Sequence, residues 1–176
     1  MMSIFVRLIL KINAYYNTFL LKYQRERVVL KAKKIGKGLR INDESFINNN
    51  TYLGENVNFN GMKIYGEGKV VIGDNFHSGS GCQILTSIHN YDEGKAIPYD
   101  SSVIHKKVMI EDNVWFGNNV IVIGEIKIEE GAIIQAGSVV VNNIPRCAIA
   151  GGHPAKVFSY RNITHYENLK KQAKFH

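Results

Sequence analysis

Cysteine is scarce in this chain, with only Cys82 and Cys147 among 176 residues. The two do not form a metal-ligand spacing, so they are read as structural thiols of a reduced, cytoplasmic protein. Also missing is a clean membrane-spanning run, because charges recur among the apolar residues near the N-terminus, and no small-residue cleavage site suggests a secretory leader. The net charge is +7, yet no Arg-rich run, aromatic stacking signature or nucleic-acid motif accompanies it, so no nucleic acid partner is expected. Such a charge serves a phosphate-rich small molecule, an anionic membrane surface or solubility. What the chain does have is 45% apolar residues, enough for one domain with a sizeable core.

The apolar residues fall in an unusual order. Ile110, Phe116, Val122, Ile128, Ile134 and Val140 stand six apart, and Val114, Val120, Ile126, Ala132 and Ser138 follow each of the first five at four places. Neither the helical period nor the strand period gives this pattern. It is a hexapeptide repeat. The same spacing recurs upstream in Ile35, Ile41, Ile47, Leu53 and Phe59, each followed by Gly or Asn at 36, 42, 48, 54 and 60. Those residue types accept the left-handed bend that a corner after each short strand requires. Three units then close a triangular coil of about eighteen residues, and coils stack at roughly 4.8 Å. The predicted fold is an all-β solenoid in which the branched residue of every unit points inward.

Two stretches break the rule. In residues 1–34, Phe5, Leu8, Ile9, Ile12, Tyr15, Tyr16, Phe19, Leu20 and Tyr23 follow helical spacing. This amphipathic helix is read as a cap on the open end of the stack or against a neighbouring subunit. Its basic residues, Arg7, Lys11, Lys22, Arg25, Arg27, Lys31, Lys33 and Lys34, also suit a helix lying on a membrane surface, and the two readings are compatible. The second break follows Ile84. The polar run HNYDEGKAIPYDSSVIHKK interrupts the coil between His89 and Lys107, so a loop at 90–107 is expected to project, as functional excursions from solenoids do. His89 stands where rigid coil meets loop, a position suited to a general base, since a neutral imidazole takes a proton from an attacking hydroxyl or amine near neutral pH.

The run from Val108 to Val157 resembles the hexapeptide-repeat acyltransferases, whose fold is a left-handed parallel β-helix, and is most similar to the branch that acetylates sugars and polysaccharide precursors. The motifs that carry the resemblance are Asn113-Val114-Trp115-Phe116-Gly117, Ala136-Gly137-Ser138-Val139-Val140, Ile144-Pro145 and Gly152-His153-Pro154-Ala155-Lys156-Val157, with ILTSIHNYDEGKAIPYD matching the segment of the catalytic His. The likeness covers residues 35–161 and leaves 1–34 as a helical cap and 162–176 as a C-terminal tail.

The resemblance implies a homotrimer with active sites between subunits, and acetyl-CoA as co-substrate without a metal. It implies that His89 deprotonates an acceptor hydroxyl, that the backbone N–H of Asn118 receives the oxyanion, and that Trp115 walls the acetyl pocket beside Gly117. Ala136, Gly137 and Ser138 would let the pantetheine arm approach the coil, and Lys156 and Arg161 would meet the phosphates. The chain departs from the family pattern at Asn142, where many members carry Lys, and at Asn118, where Ser or Ala is common. Asp92, Glu93 and Asp100 are candidates for orienting His89, and Tyr91 and Tyr99 for stacking on a sugar.

Four functional readings are carried forward. The first is O-acetylation of a sugar or polysaccharide precursor, cytoplasmic and at the inner face of the membrane if the N-terminal helix lies on lipid. The second is N-acetylation of an amino-sugar nucleotide by the same base. The third is a metal protein like the gamma carbonic anhydrases, using His77, His89 and His105. Stacked ligands should stand eighteen apart, however, and His77 and His89 stand twelve apart. The fourth is a non-catalytic scaffold that presents the loop to a partner.

Overall fold

Three ribbons of very short parallel strands form the walls of a triangular prism in a computed structural model that describes residues 4–176. The first face stacks Lys34–Ile35, Thr51–Leu53, Val70–Ile72, Val108–Ile110 and Ile126–Ile128. The second stacks Arg40–Asp43, Asn58–Asn60, His77–Ser78, Trp115–Phe116, Ile133–Ile134 and Ala148–Gly151, and adds Lys156–Tyr160 antiparallel at its end. The third holds Lys63–Tyr65, Gln83–Leu85, Ile121–Ile123 and Val139–Val140. Val108 pairs with Ile126 one coil on, whereas Val70 pairs with Val108 across the interruption. The fold is the left-handed β-helix expected from the repeat.

The inward positions Ile41, Ile47, Leu53, Phe59, Ile72, Ser78, Ile84, Ile110, Phe116, Val122, Ile128, Ile134 and Val140 are buried. The register slips between Phe59 and Ile72, where Ile64 turns inward and Tyr65 is exposed. Phe59, Phe76 and Phe116 form an edge-to-face column, with centroids 6.0 and 5.0 Å apart, the geometry that aromatic quadrupoles favour.

The corners differ from expectation in one respect. Left-handed backbone falls two residues after the anticipated Gly positions, at Gly38, Asn56, Asn75 and Asn113. Gly36, Gly54 and Gly73 are required for a different reason. A Cβ on Gly54 would meet the carbonyl carbon of Gly73 at 2.7 Å, so successive coils leave no room for one. The bent asparagines also join the coils side by side, since Asn56 Nδ2 donates to Asn75 Oδ1 and Asn75 Nδ2 to Asn113 Oδ1, each at 3.0 Å.

The ladder ends under the tail. The tail is not featureless: α2 (Ile163–Lys171), N-capped by Asn162, lies over this corner. Asn113 Nδ2 donates to the Tyr166 hydroxyl, which donates to Glu130 at 2.8 Å. Burial alone would raise the Glu130 carboxyl pKa, but hydrogen bonds from Lys170 and Tyr166 and the charge of Arg146 outweigh it and hold it low.

At the other end, α1 (Ile4–Lys31) meets the stack from its midpoint to its last turn, with Asn17, Leu20, Leu21 and Gln24 facing Asn42, Asp43 and Glu44. Val28 is buried, and Val29 and Ala32 pack beside it. Residues 1–3 of the expected cap lie outside the described residues, and the apolar side chains Phe5, Ile12, Tyr16 and Phe19 of the helix are exposed.

The excursion is partly ordered as sheet. Ser87–His89 and Val103–His105 pair antiparallel with each other alone, so the predicted loop at 90–107 includes the second strand of a projecting hairpin whose outer part is 90–102.

Phe116→Ala should cost about 3–5 kcal/mol in urea unfolding, because the closed column cannot refill the space. Glu130→Gln should lower the melting temperature at pH 7. Because the folded carboxyl pKa is depressed, its stabilisation is full above the ordinary carboxyl pKa and fades as pH falls through the folded value. The difference between parent and variant should therefore shrink on acidification, and a constant difference would mean that the charge is not what matters.

Candidate active site

The hexapeptide corners between the second and third faces carry the first half of the site. Corner residues here are normally tied to the coil above, and the Ser80 N–H donates to Asn118 Oδ1 at 3.0 Å. One coil further on, the register Phe116 to Ile134 brings Ala136 beneath Asn118. Alanine offers no side-chain acceptor. The Asn118 N–H therefore makes no hydrogen bond among the described residues, although its carbonyl accepts from Gly137 N–H at 2.7 Å. An exposed backbone donor in a rigid corner is a preorganised site for developing negative charge.

Its surroundings leave space for a chain-like ligand. A Cβ on Gly117 would meet Ala136 N at 2.5 Å, whereas one on Gly137, at φ +72°, would meet nothing within 4 Å. Ser138 is buried, and its hydroxyl accepts from Gly152 N–H at 3.2 Å while donating to the Gln135 carbonyl. Lys156 opens the final strand, next to Ala155, whose N–H bonds the Val139 carbonyl. Gly117, Ala136 and Gly137 thus meet at Asn118 with Ser138 buried beside them, while Lys156 stands further along the same edge, paired with Gly151.

Trp115 lies on the second face just before this corner, half exposed and paired with His77 and Ile133. It borders a cavity of about 370 Å³ that the sequence did not signal, closed by α2 and lined also by His77, Arg161, Tyr166, Phe175 and His176. Burial pulls the His77 pKa down. Arg161 belongs to this cavity, not to the Ala136–Ser138 corner. Its Nε donates to the Gly131 carbonyl and its guanidinium lies over the Tyr166 ring.

The second half of the site is the hairpin. His89 is exposed and its ring stacks on Tyr99 at 3.8 Å and 9°. Of the proposed orienting carboxylates, Asp92 and Glu93 form no hydrogen bond or ion pair with it. Asp100 is occupied at the hairpin tip, where its bond from the Ser102 hydroxyl, with the N–H groups of Lys95 and Ser102, takes its pKa down to about 2. Tyr99 is committed to the imidazole within this chain, while Tyr91 stays exposed.

A pair unmarked in the sequence anchors the hairpin base. The Glu67 N–H donates to Ser87 Oγ at 3.0 Å, and the same hydroxyl shares a hydrogen bond with His105 Nδ1 at 2.8 Å. Ser87 and His89 share one side of their strand, so this bond fixes the pitch of the strand that carries His89. The only hint was the parallel spelling Ser87-Ile88-His89 and Val103-Ile104-His105.

The two halves leave opposite edges of the third face. Crossing it takes about five residues, roughly 16 Å of strand, and the hairpin points outward. His77 lies on another face from His89 and His105, and among the described residues no three His, Cys, Asp or Glu side chains converge as a metal-ligand set.

Comparison with known proteins fits this geometry. The bacterial transferase hexapeptide family (six repeats) matches residues 107–142. The chain carries that hexapeptide repeat and shares the fold of hexapeptide-repeat acetyltransferases. It is 30% identical to a galactoside O-acetyltransferase of Lactococcus lactis over 64% of this chain and 54% of that protein. A maltose O-acetyltransferase structure from Clostridium difficile superposes with a TM-score of 0.56 at 30% identity, covering 72% of this chain and 65% of the other. A hexapeptide-repeat acetyltransferase of Vibrio cholerae, solved with acetyl coenzyme A, gives 0.52 at 27% identity, covering 72% and 63%. N-acetyltransferases also occur among the similar proteins. The chain spans about half the length of the curated relatives it matches.

The unbonded Asn118 N–H makes a direct prediction. Ala136→Asn should restore the side-chain acceptor and slow amide hydrogen exchange at Asn118 by at least tenfold, leaving Asn119, which already bonds the Ser80 carbonyl, unchanged. Equal exchange at Asn118 in both proteins would mean that the corner is tied by other means.

Proposed function

We propose that the protein transfers the acetyl group of acetyl-CoA to a hydroxyl of a sugar or polysaccharide precursor, with His89 as general base. The observation that carries this is the free Asn118 N–H above the Gly117–Ala136–Gly137 groove, in a chain whose relatives include galactoside and maltose O-acetyltransferases. His89 takes the hydroxyl proton as the acceptor oxygen attacks the thioester carbonyl. The Asn118 N–H binds the oxyanion, and collapse of the tetrahedral intermediate expels the coenzyme A thiolate, which recovers the proton from the imidazolium.

Because the base and the oxyanion donor stand on opposite edges of one face, the site closes between subunits. A homotrimer places the hairpin of one copy against the corner of the next. Trp115 walls the acetyl group, the pantetheine arm lies along Ala136–Ser138, and Lys156 meets phosphate, with no cation at Asn142 to assist. The stack of Tyr99 on His89 stands in for an orienting carboxylate by holding the ring plane. The free thiols of Cys82 and Cys147 suit a reducing, cytoplasmic setting.

N-acetylation of an amino sugar is the second reading, favoured by the similarity to N-acetyltransferases and served by the same base. Release of free thiol in a screen of hydroxyl and amine acceptors separates the two.

His89→Ala should reduce turnover by at least about a hundredfold with coenzyme A affinity unchanged within a few-fold. Turnover that survives the substitution would remove His89 from the mechanism. Saturating coenzyme A should raise the melting temperature of the parent protein, and no shift would favour a scaffold.

A further inference from the structure

We propose that the outer face of α1 docks on an anionic lipid bilayer, with the helix lying flat in the interface. The helix is long, about 42 Å at 1.5 Å per residue, and Val28 is its only buried residue among those described. One side looks back toward the stack, where Asn17, Leu20, Leu21 and Gln24 flank a cleft against Asn42, Asp43 and Glu44. On the other side, Phe5, Ile12, Tyr16, Phe19 and Tyr23 pack against no other element among the described residues. They follow one another at helical spacing, and Phe19 is 62% exposed.

The charges indicate what this face meets. No acidic residue occurs from Ile4 to Arg25, whereas Arg7, Lys11, Lys22 and Arg25 recur along one edge beside the aromatic stripe. The only carboxylate of α1, Glu26, is already held by Arg25 at 3.0 Å. Aromatic rings with a row of cations at their margin match the boundary between acyl chains and anionic headgroups. A second copy of the helix would set like charges against each other, and an apolar protein groove would leave the cations without a role. The stretch reaches a mean hydropathy of 1.2 over eighteen residues, enough by length and composition to span a bilayer. Charge recurrence therefore does not by itself exclude a span, as the sequence was read. A span would nonetheless carry Arg7 and Lys11 into hydrocarbon, while a flat helix leaves both among headgroups.

Lipid binding does not depend on acetyl transfer. Joined to that reading, it makes the acceptor a sugar carried on a lipid, since the first coil and the hairpin root are only two coil intervals, or roughly 10 Å, apart along the stack.

The test is vesicle flotation of the full chain. The protein should float with phosphatidylcholine vesicles containing phosphatidylglycerol at about 0.1 M salt, and at least tenfold less with phosphatidylcholine alone or at about 1 M salt. The double variant Tyr16→Asp, Phe19→Asp should lose flotation by tenfold or more at an unchanged melting temperature. Lys11→Gln with Lys22→Gln keeps the apolar stripe and should lose the preference for anionic lipid, so it carries the test if the first variant is poorly folded. Absence of flotation with anionic vesicles overturns the proposal. Flotation indifferent to salt and headgroup overturns it in favour of a span, and acetyltransferase activity that persists in any of these cases leaves the other reading intact.

Discussion

The spacing of one coil over the next governs this structure. Parallel backbone hydrogen bonds hold successive rungs at a fixed distance, and nearly every local feature is an accommodation to it. The corner glycines exist because a Cβ would strike the carbonyl group above. The bent asparagines exist because their amides span one interval and bond the next corner. The aromatic column exists because edge-to-face rings fill the same interval without a gap. Close packing of this kind makes the prism rigid and lets a single departure from the rule create a defined feature.

The candidate oxyanion site is such a departure. Where Asn118 supplies an acceptor to the coil before it, Ala136 supplies none to Asn118, and a backbone donor is left facing solvent in a corner that cannot relax to rescue it. The donor is ready before any ligand arrives, so little reorganisation is needed when charge develops. The proposed base is mounted differently. His89 rides on a hairpin held at its root by Ser87, His105 and the Glu67 N–H and steadied by Tyr99.

The two ends of the stack are treated unequally. The C-terminal tail folds back as α2, and Tyr166, Lys170 and Arg146 gather on Glu130 to fasten it. The N-terminal helix meets the stack from its midpoint to its last turn and leaves its aromatic face exposed. Solenoid ends need covering, and here one is covered by the chain itself while the other directs its apolar surface outward.

The sequence by itself determined the solenoid, since a six-residue period of branched residues satisfies no other backbone, and the repeat positions from Ile41 to Phe59, Ile72 to Ile84 and Ile110 to Val140 are buried. It also marked the interruption after His89 and the small residues at 136–138, because a break in a strict period is visible without coordinates. It misplaced the left-handed corners by two residues, since Gly serves both bends and close contacts and composition does not tell them apart. Only the tertiary structure decided that the Asn118 N–H makes no hydrogen bond among the described residues, that Asp100 serves the hairpin tip, that Arg161 belongs to the α2 cavity, and that Ser87 meets His105. Each of these depends on which residue lies one coil or one strand away, and that relation is set by register across the interruption and not by neighbours along the chain.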